Sequence, residues 1–198
     1  MTLTIIIDTE TTGIPARNEI VTSPSYPHLV EIAGLLLADG KECSSFNFIV
    51  KPEGWVIPEE VAKVHGIFQE LALARGVPLA LAIAAYVNLR ALADEIVGHN
   101  VAFDLGIVAA AIHRLGRVPS HPGPSKVSCT SDLGTSLVQL PPTEKMVAAG
   151  YGPYKRPNLG ELYQFLFGEE LVNAHTALAD CRAIARCLNE IRKRELIS

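Results

Sequence analysis

Asp8 and Glu10 stand one residue apart in the run Ile5-Ile6-Ile7-Asp8-Thr9-Glu10-Thr11-Thr12-Gly13. Side chains of a strand alternate between its faces, so an isoleucine run closing in Asp-x-Glu presents both carboxylates on the same side. The apolar, β-branched run itself reads as a strand buried on both faces. Two anions set side by side against hydrocarbon are costly to hold unless a cation lies between them. A divalent metal with oxygen ligands is the chemistry this pattern suits. A solvated strand end could carry the same two residues without any chemistry, so the rest of the chain decides.

Two further aspartates occur in matching settings. In Val97-Gly98-His99-Asn100-Val101-Ala102-Phe103-Asp104, Asn100 is a good helix N-cap, and Val101, Leu105, Val108, Ile112 and Leu115 continue at helical spacing. In His175-Thr176-Ala177-Leu178-Ala179-Asp180, Thr176 is the expected cap, and the aspartate again follows it by four residues. Each aspartate is thus expected on a first helical turn, at the positive end of the helix. Either alone would be only a favourable dipole partner.

The elements that must position these residues follow from periodicity and turn signals. Strands are expected at about 3–8, 29–38, 43–51, 95–98 and 126–129, and helices at about 59–64, 79–93, 101–115, 130–139, 158–167 and 177–195. Hairpin-linked strands followed by strand–helix alternation indicate an α/β domain. The segments 14–28 and 141–157 are long, rich in proline and glycine, and of the kind that forms binding edges. At 198 residues, 48% of them hydrophobic, the chain is expected to be a single domain, 1–198. No signal peptide or membrane-spanning run is evident, and Cys43, Cys129, Cys181 and Cys187 form no Cys-x-x-Cys pair. Reduced thiols and a cytoplasmic location are the expectation.

Together, Asp-x-Glu-Thr-Thr-Gly, His-Asn-x-x-Phe-Asp and His-x-x-x-x-Asp, in that order, resemble the three motifs of the DEDDh 3′-to-5′ exonuclease family. That family includes the proofreading subunit of bacterial replicative DNA polymerase, ribonuclease T and oligoribonuclease. The resemblance extends from about residue 3 to about residue 190, and Val64-His65-Gly66-Ile67 and Asn158–Gly168 also look like family segments. It implies a ribonuclease H-like mixed five-stranded sheet flanked by helices. It further implies two Mg²⁺ or Mn²⁺ ions held by Asp8, Glu10, Asp104 and Asp180, with His175 as general base. A histidine, with an ordinary pKa near 6.5, suits proton abstraction at neutral pH.

The expected activity is release of nucleoside 5′-monophosphates from the 3′ end of single-stranded DNA. The same chemistry on RNA ends or short oligoribonucleotides is the alternative, and a non-catalytic nucleic-acid-binding or polymerase-accessory module a third. A binding module has no reason to gather four anions where phosphate must approach. Thr11, Thr12, His65 and Phe103 are candidate contacts to the terminal nucleotide, whereas His99 and Asn100 are expected to fix the loop and cap the helix. Lys155-Arg156 and Arg192-Lys193-Arg194 are candidate phosphate contacts, the latter also a favourable charge group for a helix C-terminus. A net charge of −4 argues against tight binding over a long footprint. Two divalent ions at the scissile phosphate would make that acidity tolerable. Cys129-Thr130 departs from the Asp-Thr of many relatives at the corresponding strand end. The chain stops just after its last helix, so a free-standing exonuclease, or one encoded beside other domains elsewhere, is the expectation, with a polymerase or a second copy as candidate partners.

Overall fold

The computed structural model of the chain describes residues 1–117, 126–172 and 176–195. Its centre is a five-stranded sheet of order β3-β2-β1-β4-β5, comprising β1 (Leu3–Thr11), β2 (Leu29–Ala38), β3 (Lys41–Ile49), β4 (Glu95–Gly98) and β5 (Lys126–Cys129). The first three strands form an antiparallel meander, while β4 lies parallel to β1 and β5 parallel to β4. This is the mixed sheet of the ribonuclease H-like architecture, with helices on both faces.

The helices are α1 (Glu59–His65), α2 (Gln69–Arg75), α3 (Leu79–Arg90), α4 (Val101–Arg114), α5 (Thr130–Val138), α6 (Glu144–Ala148), α7 (Leu159–Phe167) and α8 (Ala177–Glu195). Period two along β1 divides the core. Ile5 and Ile7 pack with Ile83 and Tyr86 of α3 and with Ile107 and Val108 of α4. Ile6 packs on the opposite face with Cys181, Ile184 and Leu188 of α8. Because Asp8 and Glu10 continue the register of Ile6, they emerge on the α8 side.

Several expectations change. β1 runs to Thr11, three residues beyond the expected end, because β2 keeps pairing with it through Glu10 opposite Glu31 and Thr11 opposite Leu29, with an irregularity between. α2 and α6 were not anticipated: the first is seven residues long, and the second is five residues long with no buried side chain. Neither is long enough to display a helical apolar period. Asn100 occupies the cap position of α4 but in the left-handed conformation (φ 66°), with no side-chain capping bond. Lys155 pairs with Glu161 at 2.6 Å and Arg156 with Asp132, so a phosphate would have to compete with these carboxylates. The Arg192–Arg194 cluster lies at the far end of α8 and is committed to Glu95 and Glu190. Twelve residues of helix separate Asp180 from Arg192, roughly 18 Å at 1.5 Å per residue.

Candidate active site

The end of β1 passes between the N-termini of α4 and α8, and three motifs converge there. One carboxylate oxygen each from Asp8, Glu10 and Asp180 lie within 4.8 Å of one another. Asp8 and Glu10 are half-buried, while Asp180, on the first turn of α8, is 8% exposed. Asp104, on the first turn of α4 and 3% exposed, stands beside this trio. Thr9, which faces α4 from between the two acidic residues of β1, donates its hydroxyl to Asp104 Oδ1 at 2.7 Å.

Holding these anions together has an electrostatic cost. Burial, then repulsion from Asp104, Asp180, Glu10 and Glu31, raises the Asp8 pKa well above the usual carboxylate range. Burial first, then Asp180, Glu31 and Asp104, pushes Glu10 up to about 8. Burial pushes Asp104 up to about 7, against the Thr9 hydroxyl, which favours its charged form. The backbone of β1, α4 and α8 thus enforces a spacing that the side chains by themselves resist. An all-oxygen donor set under mutual repulsion fits a hard divalent cation, and these residues would hold one.

The same shifts give a pH signature. In the unfolded chain these carboxyls titrate near 4, so between that value and about 7 (Asp104) or about 8 (Glu10) the folded chain holds the extra protons. The stabilisation this gives the metal-free protein is complete at low pH and is lost as pH rises through the folded-state values. A cation must displace those protons, so Mn²⁺ should raise the melting temperature more at pH 8 than at pH 6. At a hundredfold excess over Kd, binding stabilises by about 2.7 kcal/mol, or very roughly 5–10 °C for a chain of this size. Equal shifts at both pH values would show that the protonated carboxyls are not the ligands.

Thr9 was not singled out by sequence, because it reads as a spacer between two acids. Thr9→Val keeps the shape and removes the bond to Asp104. Partners of metal ligands are commonly worth about 10–100-fold in metal affinity. Calorimetric titration should show a loss on that scale for Thr9→Val, and an unchanged Mn²⁺ affinity would mean that Asp104 needs no orientation.

The remaining candidates are placed variously. Thr11 is buried, and its hydroxyl closes the turn by donating to the Gly13 carbonyl at 2.6 Å. The Thr12 hydroxyl accepts from His28 N at 2.8 Å. His65, at the end of α1 and 4% exposed, accepts from Ile67 N on Nδ1 at 3.1 Å, so its neutral ring carries the proton on Nε2. That Nε2 is buried without a closed hydrogen bond. Burial lowers the His65 pKa, and the Thr11 backbone opposes this, which sets the ring beside the end of β1. Phe103 packs, partly buried, against the α3–α4 side of the core. His99 bridges the Thr130 hydroxyl at 3.1 Å and the Pro157 carbonyl at 3.0 Å, tying the β4–α4 turn to α5 and to the entry of α7. Cys129 accepts from Asn100 N at 3.2 Å, holding the same turn. His175 lies outside the described residues.

A cleft of about 820 Å³ opens from Asp8 and Asp180 along His99 to the start of α7. Asn158 and Glu161 form a reciprocal capping box there, which fixes that wall. Among the described residues, no helix is long and apolar enough to cross a membrane.

Comparison with known proteins bears on the fold and the family. The chain is similar to the PolC-type DNA polymerase III of Clostridium perfringens (strain 13 / Type A), 26% identical over 184 residues, which is 93% of this chain and 11% of the polymerase. Its fold matches E. coli exonuclease I in complex with a dT13 oligonucleotide, with a TM-score of 0.75 and 20% identity over 100% of this chain and 43% of the other. It also matches the moderately thermophilic exonuclease I of Methylocaldum szegediense, with a TM-score of 0.73 and 19% identity over 98% and 41%. The chain thus spans about a tenth of the polymerase and about two fifths of the exonuclease I chains. A family model described as exonuclease, of the ribonuclease T group, matches residues 5–188, and with its three acidic motifs the protein belongs to that family of DEDDh 3′-to-5′ exonucleases.

Proposed function

We propose that this chain hydrolyses the terminal phosphodiester bond at the 3′ end of single-stranded DNA and releases nucleoside 5′-monophosphates. The observation that carries the reading is the trio of Asp8, Glu10 and Asp180 oxygens within 4.8 Å, with Asp104 oriented alongside by Thr9. Asp8, Glu10, Asp104 and Asp180 would hold two Mg²⁺ or Mn²⁺ ions, which would supply positive charge to polarise the phosphate and to neutralise the leaving oxygen. His175 takes the proton of the attacking water. The water oxygen bonds to phosphorus, the bond from phosphorus to the 3′ oxygen of the penultimate nucleotide breaks, and that oxygen takes a proton from solvent to become the new 3′-hydroxyl, while His175 returns its proton to solvent. His65 Nε2–H, Thr12 and Phe103 are the proposed contacts to the departing nucleotide, and Thr11 acts by shaping their turn.

DNA as substrate is supported by the exonuclease I structure solved with a dT13 oligonucleotide, which shares this fold. The similarity to a PolC-type polymerase makes a polymerase complex a natural setting for such a domain. Digestion of matched DNA and RNA oligomers, labelled at either end, tests the reading. Mononucleotides should appear from the 3′ end of DNA, require Mg²⁺ or Mn²⁺ and cease on chelation. Circular strands and strands ending in a 3′-phosphate should resist. Faster digestion of the RNA oligomer would move the assignment to exoribonuclease, and efficient cutting of circles would replace it with an endonuclease.

A further inference from the structure

Glu31 is the third residue of an otherwise apolar strand and is 4% exposed. It lies directly opposite Glu10 in the β1–β2 register and adds to the repulsion that the cluster already suffers. A fifth carboxylate at such a place, itself buried, needs a compensating role. Its hydrogen bonds supply one. Oε1 accepts from Asn47 Nδ2 of β3 at 3.0 Å. Oε2 accepts from the backbone N–H of Ala177, the first residue of α8, at 3.0 Å across 146 residues of sequence.

The first backbone N–H groups of a helix have no partner within it and are usually met by a nearby side chain. Here the acceptor comes from a distant strand, so the bond sets where α8 begins relative to the sheet. Asp180 lies three residues further on, and its own N–H bonds the Thr176 carbonyl at 3.0 Å. The link from Glu31 to the Asp180 carboxylate is therefore one helical turn of rigid backbone, and Asn47 engages the other oxygen from the β3 side.

We propose that Glu31 is a positioning residue: it clamps the start of α8 to β2 and so holds Asp180 at bonding distance from a cation shared with Asp8 and Glu10, while ligating no cation itself. The proposal rests on the metal-site reading above.

Two variants separate the clamp from the charge. In Glu31→Gln, the amide oxygen can accept from Ala177 N and the amide nitrogen can donate to Asn47 once that side chain turns over, so the clamp survives without the charge. Glu31→Ala loses it. Mn²⁺ titration calorimetry, amide hydrogen exchange over residues 177–180 and the split of kcat from KM are the readouts, with thermal melting as the check on folding. Glu31→Gln should keep Mn²⁺ affinity and exchange near the parent values. Glu31→Ala should lose Mn²⁺ affinity by about 10–100-fold, exchange faster at the start of α8, and lose kcat with little change in KM.

Collapse of Mn²⁺ affinity in Glu31→Gln with slow exchange retained would overturn the proposal and make Glu31 a fifth ligand. So would parent-like affinity and exchange in Glu31→Ala. If the parent protein itself binds no Mn²⁺, the metal-site reading falls and the proposal with it, whereas the other two outcomes leave that reading standing.

Discussion

Asp180→Asn is expected to cut turnover by about 10³-fold or more, since one cation supplies several kcal/mol to a phosphoryl transition state and each 1.4 kcal/mol is tenfold. The oxygen trio loses a charged member, so Mn²⁺ affinity should fall with turnover. Removing that charge also relieves Asp8 and Glu10, both of which Asp180 repels. The metal-free variant should therefore melt higher than the metal-free parent at pH 8, while gaining less from Mn²⁺. Asp104→Asn should show the same loss of metal affinity. Calorimetry, melting with and without Mn²⁺, and single-strand digestion check all three effects. Parent-like Mn²⁺ binding in Asp180→Asn would remove this residue from the ligand set.

His175→Ala is expected to separate chemistry from metal binding. If His175 takes the proton of the attacking water, turnover should fall by about 10²–10⁴, the usual contribution of a general base, with Mn²⁺ affinity near that of the parent because all four carboxylates remain. The acid limb of the pH–rate profile should also change. In the parent, activity on that limb rises as the imidazole loses its proton. In the variant that component is gone, and the dependence left is that of the carboxyls giving up protons to the cation. A pH–rate series run at saturating Mn²⁺ reads the difference. Turnover like that of the parent, or Mn²⁺ binding that collapses as in Asp180→Asn, would assign His175 another role.

Most of the site was readable because it depends on short-range rules. Period two in a strand puts Asp8 and Glu10 on one side, and counting four residues from a cap puts Asp104 and Asp180 on first turns. Five strands, the hairpin-linked start and, among the described residues, six of the eight helices follow from the same patterns, whereas the mixed sheet was implied by the family resemblance. What the sequence concealed depends on partners distant along the chain. Thr9 and Asp104 are 95 residues apart, and Glu31 and Ala177 are 146 apart. The signal for Glu31 was present all the same. A single acid inside Leu29-Val30-Glu31-Ile32-Ala33 cannot stay charged in a core without donors. The ion pairs of Lys155 and Arg156 were hidden for the same reason: a basic pair in sequence says nothing of Glu161 and Asp132, which lie beside it in the fold. Asn100 misled because its residue type suits a side-chain cap, whereas the tight turn after β4 uses its tolerance of left-handed backbone instead.

The four free thiols form a graded series. Cys43 is exposed on β3, whereas Cys181 and Cys187 lie fully buried between α8 and its neighbours. Burial raises the pKa of both, to about 12 for Cys187, which keeps them as unreactive thiols. Cys181 directly follows Asp180 and points its sulfur at the carbonyls of Ile6 and Ala33, 3.8 Å from each. A pulse of alkylating reagent followed by peptide mass spectrometry would therefore time-stamp two events in one molecule. Cys43 marks reagent delivery, and Cys181 records the moments when the acid-bearing helix lifts from the sheet, so the native chain already contains its own clock for opening of the catalytic end.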